Sequence, residues 1–286
     1  MSSTTTQAMA AGAIDLKGAA RIEAAEARAW ADMYDAAPAG FAEAAGVGIA
    51  QIGGALVLRW AATGRRYFSR TIGLGVSEPA TEAGIDAILE HYSEHGIDMF
   101  LLQSLPQCRP DAFDTWLGDR GLEVFDAQDR IVRSSVPLRV EETTSDREIA
   151  VERVGAETAE EWSDFVQAVY RLDTGDWLPE LVDRPGWHQY VARENGRLVG
   201  ARGMYIGPDG IAWLGIDGPV PGVMTDDHEP DAVICSFMVE DGLRRGARGF
   251  IADIEAPSET MDGRAYEVFG ALGFTRPYVR THWRIP

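Results

Sequence analysis

The chain has 286 residues, 45% of them hydrophobic, and a formal net charge of −19. It is long enough for one large domain or two ordinary ones, each with a packed core. The acidic balance excludes nucleic acid and anionic membrane surfaces as partners, and it opposes a polyanionic cofactor unless a local basic patch overrides it.

The two cysteines, Cys108 and Cys235, are far apart and lack a CxxC partner. That usage fits a reducing, cytoplasmic setting. The opening MSSTTTQAMAAGA has no basic region followed by an apolar core, so residues 1–14 read as a disordered tail. No apolar run reaches the ~18 residues that span a bilayer.

Apolar spacing predicts a helix over Ala19–Tyr34. Gly46–Trp60 reads as a strand pair turning at Gly53-Gly54, and Tyr67–Val76 as a further strand. Ser77 or Thr81 can start a helix that ends at Gly96. A strand over Asp98–Leu105 and a short helix over Asp111–Arg120 follow. The polar stretch 140–146 is the expected linker between modules at 15–139 and 147–286.

The second half opens with a strand, Glu148–Val154, and a helix, Glu157–Tyr170. Three strands then form a meander, with Glu194-Asn195-Gly196 and Pro208-Asp209-Gly210 as its turns. The last of these strands ends near Ile216, and an acidic loop and a helix that Asp231 can cap and that Arg244, Arg245 and Gly246 close come next. The chain finishes with strand 249–254, helix Gly263–Leu272 and a last strand from Arg276. The element order of the first half, down to Gly121-Leu122, matches that of the second, down to Gly273-Phe274. Such matching suggests duplication of one α/β module.

This order, with the tail VFGALGFTRPYVRTHWRIP and its LGF, resembles the GNAT acyltransferases. The whole chain is similar to tandem-GNAT proteins, with SRTIGLGVSEPATEAGIDAILEHYSEHGI resembling their degenerate N-terminal copy. The resemblance implies two mostly antiparallel twisted sheets flanked by helices, in an α+β mixed-sheet fold. It implies acyl transfer from acetyl-CoA to an amine. It places the cofactor against Gly218, Val220, Asp231 and Ala232.

The residues depart from that family's pattern. The pyrophosphate loop, normally Arg or Gln with small residues, falls on Asp226–Asp231. Carboxylates there oppose phosphate binding, and Pro230 lacks an N–H donor. The family's frequent acid, a tyrosine, falls on Phe269, with Tyr266 one helical turn earlier. Two alternatives therefore stay open: a GNAT-fold enzyme of another class that no longer uses acyl-CoA, or a non-catalytic binding module.

Among candidate residues, Asp253 and Glu255 alternate with Ile254 and share one strand face. They are cast as base or amine anchor, and Tyr266 as acid. Asp217, Asp173, Asp176 and Trp177 are cast as contacts for a small cationic amine, the aromatic through cation–π attraction. The plainer alternatives are capping carboxylates and a packed tryptophan. The acidic loop lacks a ligand-spacing motif, and His91 and His95 lack a third ligand, so no metal is expected. The protein is expected to be a monomer or homodimer.

Overall fold

The computed structural model describes residues 9–137, 147–219, 229–255 and 264–286. Contacts divide the chain into two compact units. The first comprises Ala13–Arg130 and Tyr278–Pro286; the second comprises Ile131–Pro277 with the segment up to Gly12. The expected linker, 140–146, lies outside the described residues.

In the first unit, helix α1 (Leu16–Asp35) begins where the Asp15 side chain accepts the Gly18 N–H at 2.8 Å. Helix α2 (Ala39–Ala45) and the hairpin of β1 (Val47–Ile52) and β2 (Ala55–Trp60) follow. Strand β3 is only Arg70–Ile72, shorter than the predicted Tyr67–Val76. A 3-10 turn over Arg66–Phe68 precedes it, and Gly73 and Gly75 at φ of 84° and 77° break the extended run after it. Thr81, one of the two predicted starts, caps α3 (Glu82–Glu94) by accepting the Gly84 N–H. Strand β4 (Leu101–Ser104), helix α4 (Phe113–Asp119) and strand β5 (Glu123–Ser134) complete its continuous part. The final strand, β11 (Thr275–Arg284), joins this sheet through Thr281↔Ser104, His282↔Gln103 and Trp283↔Leu102. The sheet order is β1-β2-β3-β4-β11-β5.

One sheet face holds a buried ion network. Arg130 and Arg280 both bond to Glu23 and Glu26 of α1. Tyr278 donates to Glu23 at 2.6 Å, and Trp30 Nε1 donates to Glu26 at 3.2 Å. The opposite face packs Val57, Leu74 and Leu102 against Ile85, Ile88 and Phe113.

The second unit contains β6 (Ile149–Arg153), α5 (Ala159–Tyr170), β7 (Trp187–Glu194), β8 (Arg197–Ile206), β9 (Ile211–Pro219), α6 (Glu229–Arg244), β10 (Gly249–Glu255) and α7 (Arg264–Ala271). Its order runs β5-β10-β9-β8-β7-β6. Strands β6 to β9 are antiparallel neighbours, whereas β10 lies parallel to β9. The predicted turn at Asn195-Gly196 takes positive φ at both residues, 49° and 77°. Tyr190, Met204, Leu214, Phe250 and Ile254 pack against Ile234 and Met238 of α6 and Phe269 of α7. Met9 joins this core, and Gly12 and Ala10 exchange backbone bonds with Arg276. Residues 9–12 of the expected tail are therefore ordered by burial and pairing. No helix among the described residues is long and apolar enough to cross a membrane.

Candidate functional site

Among the described residues, strands β9 and β10 pair at three positions: Gly249↔Ile211, Phe250↔Ala212 and Ile251↔Trp213. Beyond them β9 runs on to Pro219 and β10 to Glu255, with no further pair between the two among the described residues. The C-terminal ends of two parallel neighbours thus part, which is where α/β sheets hold ligands.

A bulge shapes the same end of β9. Gly203 pairs with Gly215 and Ala201 with Gly218, so Arg202 stands opposite both Ile216 and Asp217. Ile216 has φ of 47°, rare for a β-branched residue. Gly203 makes room for it, since a Cβ there would lie 3.2 Å from the Ile216 Cβ. Isolated glycines in Gly-Ala-Arg-Gly and Leu-Gly-Ile-Asp-Gly carried the signal for this bulge.

Helix α6 starts beside the bulge. Arg202 Nε and Nη2 donate to the two carboxylate oxygens of Asp231 at 2.6 and 2.8 Å. Glu229 lies 3.5 Å from Arg147, which also forks onto Glu194 at 2.7 Å. Both described carboxylates of the first helical turn are therefore compensated by arginines. Asp231 does not serve as the predicted cap: the helix begins two residues earlier, and its carboxylate is held by the sheet. Arg202 in turn stands over the Phe269 ring at 5.7 Å.

No family model and no curated protein matches the sequence. Solved structures do match. A GCN5-related N-acetyltransferase from Kribbella flavida aligns with a TM-score of 0.62 at 14% identity, covering 93% of this chain and 94% of its own. A tandem GNAT protein from the clavulanic acid biosynthesis pathway aligns at 0.55 and 13%, covering 81% and 78%. The chain has the GNAT acetyltransferase fold. A glucosamine N-acetyltransferase region of a fungal β-N-acetylglucosaminidase aligns at 0.53 and 14%, covering 83% of this chain and 31% of that one.

Within this GNAT fold the predicted residues separate. Asp253 is half-buried and Glu255 exposed on β10. Ala252 and Ile254 point into the core shared with Tyr266 and Phe269, so alternation turns Asp253 and Glu255 to the other face. The structure does not bring Tyr266 onto the face of the two carboxylates. Tyr266 is buried, and its hydroxyl has no hydrogen-bond partner among the described residues. Arg276 stands over its ring at 5.6 Å. Such an orphaned buried hydroxyl is uncommon and calls for a ligand, a water or a chemical role.

Gly218 lies in β9, paired with Ala201, and Asp217 is at the bulge. Ala232 is half-buried in the first turn of α6. Val220 and residues 221–228 of the acidic loop lie outside the described residues. Asp173 and Asp176 are exposed, and Asp173 accepts the Gly175 N–H at 3.0 Å in a local turn. Trp177 is 2% exposed, leading into the 3-10 turn Leu178–Leu181, which Gln189 ties to the sheet through a 2.9 Å bond to the Leu181 carbonyl. Trp187, Tyr205 and Trp213 line the sheet on the Gln189 side, with ring centroids 5.2 and 6.2 Å apart from Trp187. Among the described residues, no group of three or more His, Cys, Asp or Glu could hold a metal ion.

The equivalent β3–α3–β4 region of the first unit is strapped shut. Arg109 N–H donates to the Gly75 carbonyl at 2.8 Å, and its own carbonyl accepts from Ala80 at 2.8 Å. Cys108 Sγ donates to the Leu74 carbonyl at 3.3 Å, and burial pushes its thiol pKa up to about 12.

Proposed function

We propose that the second unit transfers an acyl group from acetyl-CoA to a small cationic amine. The observation that carries this reading is the parting of β9 and β10 beside the Ile216 bulge, with a buried phenol, Tyr266, that has no hydrogen-bond partner among the described residues, in the adjoining core. The fit to acetyl-CoA was the open question, because acidic residues replace the phosphate loop. In the described part of that loop Asp231 is paired with Arg202, and Glu229 shares Arg147 with Glu194, so the repulsion is reduced. The orphaned phenol is a donor of the kind a departing thiolate requires. The backbone of Gly218 and of Ala232 would lie against the cofactor, which when bound supplies an activated thioester.

Asp253, or Glu255 one step farther out, takes the proton of the attacking amine from one face of the sheet. Tyr266 gives a proton from the other. A reacting group held in the gap between β9 and β10 would be approached from both faces. Asp173 and Asp176, exposed in the loop that leads to Trp177, favour a cationic acceptor. The first unit, closed by its own Arg109 and Cys108 backbone contacts, plays no part in transfer.

Isothermal titration with acetyl-CoA tests the reading. Micromolar binding with one cofactor per chain is the expected outcome. Absence of binding at millimolar cofactor would overturn it and favour a GNAT-fold protein that does not use acyl-CoA.

A further inference from the structure

The last turn of α6 carries a second cluster of polar side chains, ten residues along the helix from Asp231 and so about 15 Å from it. Asp241 accepts from the Tyr190 hydroxyl at 2.7 Å, from Arg245 Nε at 2.6 Å and from Arg244 Nη2 at 3.3 Å. On the neighbouring strands, Arg153 Nη2 lies 3.4 Å from His188 Nδ1. A guanidinium can only donate, so Nδ1 is the acceptor and the ring proton sits on Nε2. Burial, with Arg245 and Arg153 nearby, lowers the His188 pKa to about 4 against the opposing pull of Asp241.

The charged groups acting on the imidazole are thus Arg153 of β6 and Asp241 and Arg245 of α6, with Tyr190 on the same face of β7, and Arg244 adds a further cation on Asp241. Three guanidinium groups stand against one carboxylate, in a chain of net charge −19. The helix dipole accounts for Arg244 and Arg245. It does not account for Arg153, which comes from a strand and has no carboxylate partner among the described residues, nor for a histidine placed between two cations.

We propose that His188, Arg153 and Arg245 form a binding site for a tetrahedral oxyanion of the phosphate class, and that His188 takes up a proton as the anion binds. An anion beside Nε2 favours the imidazolium and offsets the two arginines that now disfavour it. Anion binding is therefore coupled to one proton and strengthens as pH falls.

The test is an NMR titration of the full-length protein, following the His188 ring signal from pH 4 to 8 and assigning it with His188→Gln. Sulfate is the probe because it stays doubly charged over this range; chloride and acetate at equal ionic strength are controls. Sulfate is expected to raise the His188 pKa by roughly one unit or more, a tenfold preference of the anion for the protonated form. Arg153→Gln, at an exposed position, is expected to abolish that shift while leaving the Tm unchanged. Identical titrations in sulfate and chloride would overturn the site. An equal shift in acetate would overturn its tetrahedral specificity, and a shift that persists in Arg153→Gln would remove Arg153 from it.

Discussion

Arg202, alone on its side of the β8–β9 bulge, grips both carboxylate oxygens of Asp231 at the start of α6. The arginine side chain is 9% exposed, so its charge depends on that partner. Asp231→Asn is expected to cost roughly 1–3 kcal/mol of stability, since it leaves a buried cation with a neutral acceptor. The same change removes a negative charge beside the proposed cofactor site. Acetyl-CoA affinity should rise about fivefold, equivalent to roughly 1 kcal/mol. Thermal unfolding and titration calorimetry read the two effects separately. A lower Tm with unchanged cofactor affinity would make the pair purely structural.

Tyr266 gives a cleaner separation of structure from chemistry. Its ring packs with Phe269 and Ile254, but its hydroxyl bonds to nothing among the described residues. Tyr266→Phe keeps the packing and loses no hydrogen bond, so stability should change by less than about 0.5 kcal/mol. If the phenol is the acid, the transfer rate falls roughly 100-fold while acetyl-CoA affinity holds. An unchanged rate in this variant would take Tyr266 out of the mechanism.

The bulge itself can be closed. In Gly203→Ala the new Cβ would lie 3.2 to 3.4 Å from three Ile216 side-chain atoms, so Ile216 must move. Overpacking of this kind costs about 1–3 kcal/mol. It should also weaken cofactor binding, because the outward turn of β9 depends on Ile216. Adding Ile216→Gly to that variant removes the clash and suits the positive φ, and should restore part of the stability. Full additivity of the two changes would show that the residues are not coupled.

Much of this architecture was legible in the sequence, for reasons tied to particular residues. Asn195-Gly196 and Gly53-Gly54 set hairpins because they accept positive φ, and Gly246 ended α6 for the same reason. The order of elements pointed to the GNAT fold, and solved structures share it. Long-range pairings were not legible. Nothing local in Arg202 announces that Asp231, 29 residues on, will neutralise it. Tyr266 and Asp253 were both singled out, but their separation onto opposite faces follows from the register of β10 against the α7 core, which composition does not encode. Likewise Met9 reads as tail because the core it joins includes Phe269 and Phe274 from the far end of the chain.

The ion network of the first unit predicts how that unit responds to acid. Glu26 is buried among Arg130, Arg280 and Arg70. Burial alone would raise its pKa, but the arginines outweigh it and hold the carboxyl far below its ordinary 4.5. A group whose folded pKa is depressed contributes stability above its unfolded pKa and loses it as pH falls toward the folded value. Below about pH 4.5 the unfolded chain binds a proton at this position that the folded chain refuses, so stability should fall steadily with each further drop in pH. Glu26→Gln leaves the arginines short of one charge and should cost about 3–5 kcal/mol at neutral pH. It should also flatten the acid limb, because the proton-binding difference between the two states is gone. Urea unfolding followed from pH 7 to pH 3 measures both. An acid limb as steep in the variant as in the native chain would place the linkage on another carboxylate.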